Sequence, residues 1–588
     1  MPRMSQPFSF VQITDIHIGV KAPAQWLVED LRQINSEVGA KIDFIAATGD
    51  LTDTGTDEQC RAYADAIKAT RHKVHPVVGN HDYVNGPWDT GKYDAGSYQA
   101  HISPLNYSFD HKGVHFVSYD SIQKGNESSP SEWLLADLAA QPSDRPIILL
   151  VHYQLPSKFY DALKAYNIVA TLSGHWHTSR LYHDGKIAHF NSPSLCFGGI
   201  DYSPRGYRVF HWDGTALHCE TVPLRRPPPK RAASGKGIDV LWSTPLDADA
   251  HMAAPVVSHG RVIAGLMNEN QMNHGALACW NGESGKELWR IRLNASIKNT
   301  PAVYDDSVIA VTVTGEVLAV NIADGSRRWT YQLGEPSERW IFSSPRVHND
   351  RVYAGHAPHF AALAAETGKP LWVREKINGS DWISSYVSPS CHGDHVYMGF
   401  FWGRTGLMSL DAHTGETRWQ IDRSGDTSST PIPDGNGALY VMRGEFLQKL
   451  NASTGDPIWK FKVGEVWNPS TPLVEADTVY AASGAGKVFA VDAESGAEKW
   501  SWECNEDLSS MLAYRRSSKT IVSSPRRAGE CIAIGCNDGR LVGLNAATGQ
   551  LKWEHDFGVP VTATPTIANG RMYLPSRDGR LYVLRVPL

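Results

Sequence analysis

The sequence predicts two domains of different class: an α/β domain over residues 1–224 and an all-β, eight-bladed propeller over residues 238–588. Three observations predict it. Strand-like and helix-like segments alternate before residue 225. The stretch Arg225-Arg-Pro-Pro-Pro-Lys-Arg-Ala-Ala-Ser-Gly-Lys-Gly237 then interrupts the pattern, and its prolines make it an extended linker over 225–237. Beyond it helix signals vanish and a Gly/Trp repeat with a period of about 40–53 residues takes over.

In the first domain, strands are expected at Phe8–Thr14, Ile42–Thr48, Val74–Val78, Val114–Tyr119, Ile147–His152 and Ile168–Ser173. Helices are expected at Gln25–Val38, Asp57–Ala69 and Ser131–Ala140, the last capped through Ser129-Pro130. In the second domain seven segments place Asn, Asp or Ala, then Gly four residues on, then Trp after four more. They are Asn281/Gly285/Trp289, Asn321/Gly325/Trp329, Ala364/Gly368/Trp372, Asp411/Gly415/Trp419, Asn451/Gly455/Trp459, Asp492/Gly496/Trp500 and Asn545/Gly549/Trp553. A small or hydroxyl residue before proline recurs eight times, at Pro255, Pro301, Pro345, Pro389, Pro431, Pro472, Pro525 and Pro565. Trp242 supplies the eighth tryptophan, so the N-terminal strand of the domain is expected to complete the last blade and remove two open sheet edges. The long interval from Pro472 to Pro525 calls for an insertion within Ser501–Thr520. The tryptophans are read as packing residues between blades.

Composition narrows the function classes. At 588 residues, 42% hydrophobic and 20% charged with net charge −6, the chain is too apolar for disorder and lacks the basic excess of a nucleic-acid binder. No apolar run approaches the roughly 18 residues of a membrane span. The start, Met1-Pro-Arg-Met-Ser-Gln-Pro7, has no long apolar run and no small-residue cleavage site, so a cytoplasmic location is the expectation. The eight cysteines include no CxxC and no adjacent pair, and read as free thiols. Of 24 histidines, 14 lie in residues 1–224; of 19 tryptophans, 14 lie in residues 238–588.

Polar residues follow five of the predicted strands. They are Asp15-Ile-His17, Gly49-Asp50, Gly79-Asn80-His81-Asp82, His152 and Gly174-His175-Trp176-His177. Ligand sites of α/β sheets form beyond the carboxyl ends of strands, where all five lie. Carboxylates, imidazoles and an amide carbonyl suit ions such as Mn, Fe or Zn.

This order of motifs resembles the calcineurin-like metallophosphoesterase superfamily over about residues 8–212. The resemblance implies a four-layer αββα sandwich and two metal ions. Asp50 would bridge them, Asp15, His17 and His177 would complete one site, and Asn80, His152 and His175 the other. Two cations clamp phosphate oxygens and lower the pKa of a shared water, so that hydroxide attacks phosphorus. His81 would sit beside the leaving oxygen, as proton donor or charge stabiliser. Asp53 matches a family aspartate that orients this histidine, or is an ordinary turn residue before Gly55; Asp82 reads as loop support. The Asp-Arg-Gly of the phosphoprotein phosphatases is replaced by Asp53-Thr54-Gly55, so the phosphate-gripping arginine is missing. The segment is more similar to class III cyclic-nucleotide phosphodiesterases and glycerophosphodiesterases. The loop Tyr83–Ile102, with Trp88, Tyr93, Tyr98 and His101, either walls a pocket or packs on the surface; His189, Asn191 and Tyr202 are rim candidates.

The propeller repeats resemble the quinoprotein-type repeat named after PQQ-dependent dehydrogenases. The adjacent-cysteine pair of those enzymes is missing, and no PQQ is expected. The resulting expectation is a dinuclear-metal phosphodiesterase acting on a small phosphoester, with the propeller recruiting a protein partner or driving self-association. The alternatives are a phosphomonoesterase of the same fold and a scaffold or sensor dominated by the propeller.

Overall fold

The structure, a computed structural model, describes residues 5–123, 125–226, 236–271, 274–379, 386–401, 403–422 and 426–587. The chain divides into two compact units. The first holds Met1–Arg225, Glu269–Met272 and Ser509–Arg516; the second holds the remainder. Of the predicted linker, residues 227–235 lie outside the described residues.

The first unit has two β-sheets. One has Lys73–Val77 at one edge, then Phe44–Thr48, Phe8–Ile13, Gly206–Trp212 and Leu217–Pro223. The other runs Tyr107–His111, Val114–Ser118, Ile147–Leu150, Ile168–Ser173, Ala188–Asn191, Arg180–His183. Alternation along Phe8–Ile13 shows why the sheets stack. Phe8 and Phe10 face the second sheet, in a core with Phe44, Phe116, Ile148 and Trp212. Val11 and Ile13 face the other way, onto Leu27, Leu31 and Ile34 of helix Ala24–Glu37 and Tyr63 of helix Asp57–Ala66. The far side of the second sheet carries Leu134 and Leu138 of helix Glu132–Ala139 and Phe159. These are the four layers αββα. Gln12, on the inner face, is polar because it spans the interface: its amide donates to Thr48 Oγ1 (2.8 Å) and to the Ser173 carbonyl (3.0 Å). Helix Glu132–Ala139 is capped by the Ser131 hydroxyl, which accepts from Leu134 N, and not by Ser129 as the sequence suggested; Ser131 is the residue placed to reach the amide three positions on.

The second unit is an eight-bladed β-propeller of antiparallel sheets. The strand Val240–Pro245 pairs antiparallel with Arg580–Arg585 in the sheet that holds Thr566–Ala568 and Arg571–Ser576. Lys236–Gly237 adds in parallel to Leu551–Asp556 of the preceding blade. Each repeat position has a physical task. Asn281 Oδ1 accepts from the amides of Glu283 and Ser284, closing the turn before the outer strand. The glycine that follows is left-handed, with φ from 70° to 79° at Gly285, Gly325, Gly368, Gly415, Gly455, Gly496 and Gly549. Its missing Cβ admits the preceding tryptophan: a Cβ on Gly285 would lie 2.6 Å from Trp242, and one on Gly415 2.7 Å from Trp372. Trp242 thus does for Gly285 what each later tryptophan does for the next blade's glycine. The indole also donates onward, as from Trp289 to the Ile322 carbonyl (2.9 Å) and from Trp500 to the Ala546 carbonyl (2.9 Å). The residues before the prolines link successive blades. Thr300 N donates to Ser344 Oγ (3.0 Å), Ser344 N to Ser388 Oγ (2.9 Å) and Ser388 N to Thr430 Oγ1 (3.1 Å). No described helix is long and apolar enough to cross a membrane. The cysteines are free thiols.

Candidate metal centre

Three parallel strands of the first sheet and two of the second end at one side of the first unit. Phe8–Ile13, Phe44–Thr48, Lys73–Val77, Ile147–Leu150 and Ile168–Ser173 lead there. Each next loop carries one of the five motifs. The motif glycines are needed for close approach. A Cβ on Gly49 would lie 2.3 Å from His152 Nδ1, one on Gly79 2.1 Å from Asp50 N, and one on Gly174 1.9 Å from Thr14 Oγ1. The loops are also cross-tied: Asp15 N donates to the Gly49 carbonyl (3.1 Å), His17 N to the Asp50 carbonyl (2.9 Å), and Gly174 N to the His152 carbonyl (3.1 Å). Asp15, His17, Asp50, His175 and His177 all hold left-handed backbone, with φ of 52°, 54°, 51°, 72° and 45°. Such a conformation strains a residue with a Cβ, and its clustering at one place is typical of functional sites.

The ligating atoms of Asp15, His17, Asp50 and His177 lie within 4.8 Å of one another, and so do those of Asp50, His152 and His175. Asp50 belongs to both of these groups; a third, His17, Asp53 and His81, shares His17 with the first. His17 Nε2 and His177 Nε2 are 3.1 Å apart; Asp50 Oδ2 is 3.5 Å from His17 Nε2 and 3.2 Å from His152 Nε2. Asp15 Oδ1 is 3.2 Å from His177 Nε2. Asn80 Oδ1 is 3.1 Å from His152 Nε2. His152 Nδ1 donates to the Thr48 carbonyl (2.8 Å), which aims Nε2 into the site; burial would lower this imidazole, but Asp50 outweighs it and pushes it up to about 9, so a metal bound there displaces a proton. Burial holds His175 far below the usual imidazole range and pushes His17 down to about 3, so both are neutral, the form that binds metal. Burial would raise Asp50, but the imidazoles of His152, His81 and His17 outweigh it and hold the carboxyl well below the ordinary range. A buried set of carboxylate oxygens, an amide oxygen and imidazole lone pairs converging on shared points fits two cations.

His81 lies at the edge of the cluster, half-buried, with its ring 4.6 Å from that of His17. Its Nδ1 donates to the carbonyl of Asp53 (2.7 Å), and its amide to Asp50 Oδ1 (2.9 Å). Asp53 therefore orients His81 by its backbone, and its carboxylate is directed elsewhere, to Lys21 Nζ (2.8 Å) and toward His17 Nδ1 (3.8 Å). Asp82 accepts from the amides of Gly79 (2.8 Å) and Thr52 (2.8 Å), and supports the loop.

The other candidates separate from the cluster. Tyr98 is buried in the helix-side core, and His101 pairs with Asp57 (2.6 Å), so this part of the Tyr83–Ile102 loop packs on helix Asp57–Ala66. Tyr83 donates to Asp120 (2.6 Å) with its ring 5.9 Å from exposed Tyr93; the Trp88 side chain lies outside the described residues. His189 is held by Thr171 (2.8 Å) within the second sheet. Asn191 donates to the Thr178 carbonyl (2.7 Å) below the Gly174–His177 loop, and Tyr202 is buried in the loop behind it. Four neighbours of the cluster were not singled out in the sequence. Tyr153 has its ring 4.2 Å from that of His175, and Phe197 lies 5.4 Å from His177. Lys21 pairs with Asp53, and Tyr514 lies 5.0 Å from His177. Lys21 had a faint signal, four residues after His17; Tyr514 had none beyond the long repeat interval that contains it.

Two family models match the chain. Calcineurin-like phosphoesterase matches residues 8–179. A model described as outer membrane protein assembly factor BamB matches 232–375, 333–430, 361–534 and 506–586. Among curated proteins, BamB of Xanthomonas campestris pv. campestris is 24% identical over 376 residues, 59% of this chain and 86% of that protein. BamB of Yersinia pestis is 25% identical over 235 residues, 38% of this chain; the match spans 58% of the Yersinia protein's length. Among solved structures, BamB from Moraxella catarrhalis aligns with a TM-score of 0.47 and 21% identity, over 59% of this chain and 97% of that one.

Proposed function

Because the chain belongs to the calcineurin-like phosphoesterases through its first unit and to the BamB-type repeat family through its propeller, we propose that it is a two-metal phosphodiesterase whose propeller binds a protein partner or a second copy of the chain. The observation that carries the catalytic part is the placing of Asp50 in both ligand groups, which is the arrangement of a bridging carboxylate. In this reading Asp15, His17 and His177 hold one cation with Asp50, and Asn80, His152 and His175 hold the other. Two bound cations would supply charge neutralisation for the phosphate and an activated water. The chain's own residues do the rest. The Thr48 carbonyl fixes the tautomer of His152, and the Asp53 carbonyl fixes the ring of His81 through Nδ1, so that Nε2 is the atom that would face a leaving oxygen. Protonated His81 donates to that oxygen as the ester bond breaks. The diester preference is supported by Asp53-Thr54-Gly55, which offers no arginine to grip the extra charge of a monoester. Relatives named as assembly factors support the reading of the propeller as a protein-binding module.

The test is hydrolysis of bis(p-nitrophenyl) phosphate and p-nitrophenyl phosphate by the Mn-loaded full chain. The expected result is metal-dependent turnover with the larger kcat/KM on the diester. A larger monoester value reverses the preference, and metal-independent or absent turnover removes the reading.

A further inference from the structure

The first unit takes in Ser509–Arg516, from the interval where the repeats call for an insertion. The segment is fastened along its length. Ser509 Oγ donates to the Leu224 carbonyl (2.9 Å), Arg205 N to the Ser510 carbonyl (3.1 Å), and Gly198 N to the Leu512 carbonyl (3.0 Å). At its end Arg516 Nε donates to the Cys196 carbonyl (2.8 Å), the guanidinium pairs with buried Asp30, and it lies 4.5 Å over the Trp26 ring. The approach at Gly198 is so close that a Cβ there would lie 2.0 Å from the Met511 carbonyl carbon. Between these fastenings Tyr514 holds left-handed backbone, φ 59°. The one strained residue of the segment is the one whose ring stands beside the metal cluster, 5.0 Å from His177 and 6.0 Å from His17.

We propose that Tyr514 determines substrate specificity, its ring forming the wall against which the alcohol group of the ester lies; this rests on the phosphoesterase reading above. Tyr514 as a residue is partly buried. Phe197, 5.2 Å away and fully buried, backs the ring, and Lys21 Nζ lies over it, 5.0 Å from the centroid. An aromatic ring beside the cluster, with a cation over it, fits an ester that joins a phosphate to an aromatic or heteroaromatic group. The substrate class is thereby narrowed from phosphodiesters at large to those whose alcohol carries such a ring.

The test needs no turnover. Calorimetry measures binding of phenylphosphonate and methylphosphonate to the Mn-loaded full chain, with bound metal counted in each protein. Wild type is expected to bind phenylphosphonate about fivefold more tightly, the scale of one aromatic contact. Tyr514→Ala is expected to lose that preference while keeping its metal and its affinity for methylphosphonate; Tyr514→Phe is expected to keep all three. The wall is overturned if wild type shows no preference, if Tyr514→Ala keeps it, if Tyr514→Phe loses it too, or if Tyr514→Ala loses metal. A wild type that shows the preference without hydrolysing any ester leaves the wall standing and removes the catalytic reading instead.

Discussion

At the metal centre, left-handed backbone is held by Asp15, His17, Asp50, His175 and His177; at the repeat turn of seven propeller blades it is held by glycine. A non-glycine residue in that conformation costs about 1–3 kcal/mol and persists only where its surroundings fix it. In the blades nothing is needed from the side chain, and the space of the missing Cβ is filled by a tryptophan. In the first unit the side chains at these five strained positions are ones that converge. Glycine there moves one place aside, to Gly49 and Gly174, where it lets the ligand loops touch. Between these two places, strain is kept where chemistry requires a functional group and glycine is used where only packing is at stake; exposed turn residues such as Asn349 and Lys376 are left-handed as well.

The largest test of this contrast is Asp50→Ala. It deletes the one carboxylate shared by both ligand groups, so hydrolysis should fall at least ~1,000-fold, in line with the several kcal/mol that metal ions contribute to transition-state charge. Metal analysis should show fewer than two ions per chain while the far-UV spectrum is unchanged. His81→Ala should act differently, because this ring stands beside the ligands rather than among them. A fall in kcat of roughly 100-fold is expected on an alkyl ester and a smaller one on a p-nitrophenyl ester, whose leaving group needs less protonation, with the metal content intact. Equal losses on the two esters would exclude proton donation by His81.

Gly415→Ala probes the other side of the comparison. The new methyl would lie 2.7 Å from Trp372, at φ 74°. A loss of about 2–3 kcal/mol in urea denaturation is expected from overpacking and backbone strain together, with kcat/KM of the folded protein unchanged.

These contrasts explain what could be read from the sequence. The metal loops were legible because each functional residue adjoins a glycine or a strand end that leaves a local signature, as in Gly49-Asp50 and Gly79-Asn80-His81. The blades were legible because turn, glycine and tryptophan recur at fixed spacing. The orientation of His81 was not, since it is set by the backbone carbonyl of Asp53, and a carbonyl is present at every residue. Nor was Tyr514, which reaches the cluster from about 340 residues beyond His177 through contacts that no local pattern encodes. Among the Tyr83–Ile102 aromatics, composition alone could not separate Tyr98, which fills the helix-side core, from exposed Tyr93.

The last expected effect concerns a pair of buried carboxyl groups, one from each unit. Asp50 is held ionised against its burial by three histidines, whereas burial of Asp507, outweighing its bonds to Thr520, pushes that carboxyl up to about 8. Asp507 Oδ1 accepts from Thr520 N (2.7 Å), while Oδ2 is buried with no hydrogen-bond partner. The attraction of Arg226 is partly offset by Asp538. In the unfolded chain this carboxyl releases its proton near pH 4, but the folded chain keeps it until about pH 8. Between those values the unfolded state binds fewer protons, so this group lowers stability as pH rises. Asp507→Asn removes the titration and keeps an uncharged group of the same shape. The stability of the wild type should therefore fall relative to that of Asp507→Asn between pH 5 and pH 8, by at most roughly 3–4 kcal/mol in urea denaturation. Parallel curves for the two proteins would mean that Asp507 is as ionised in the fold as in the open chain, and that the second unit, like the first, stabilises a buried negative charge.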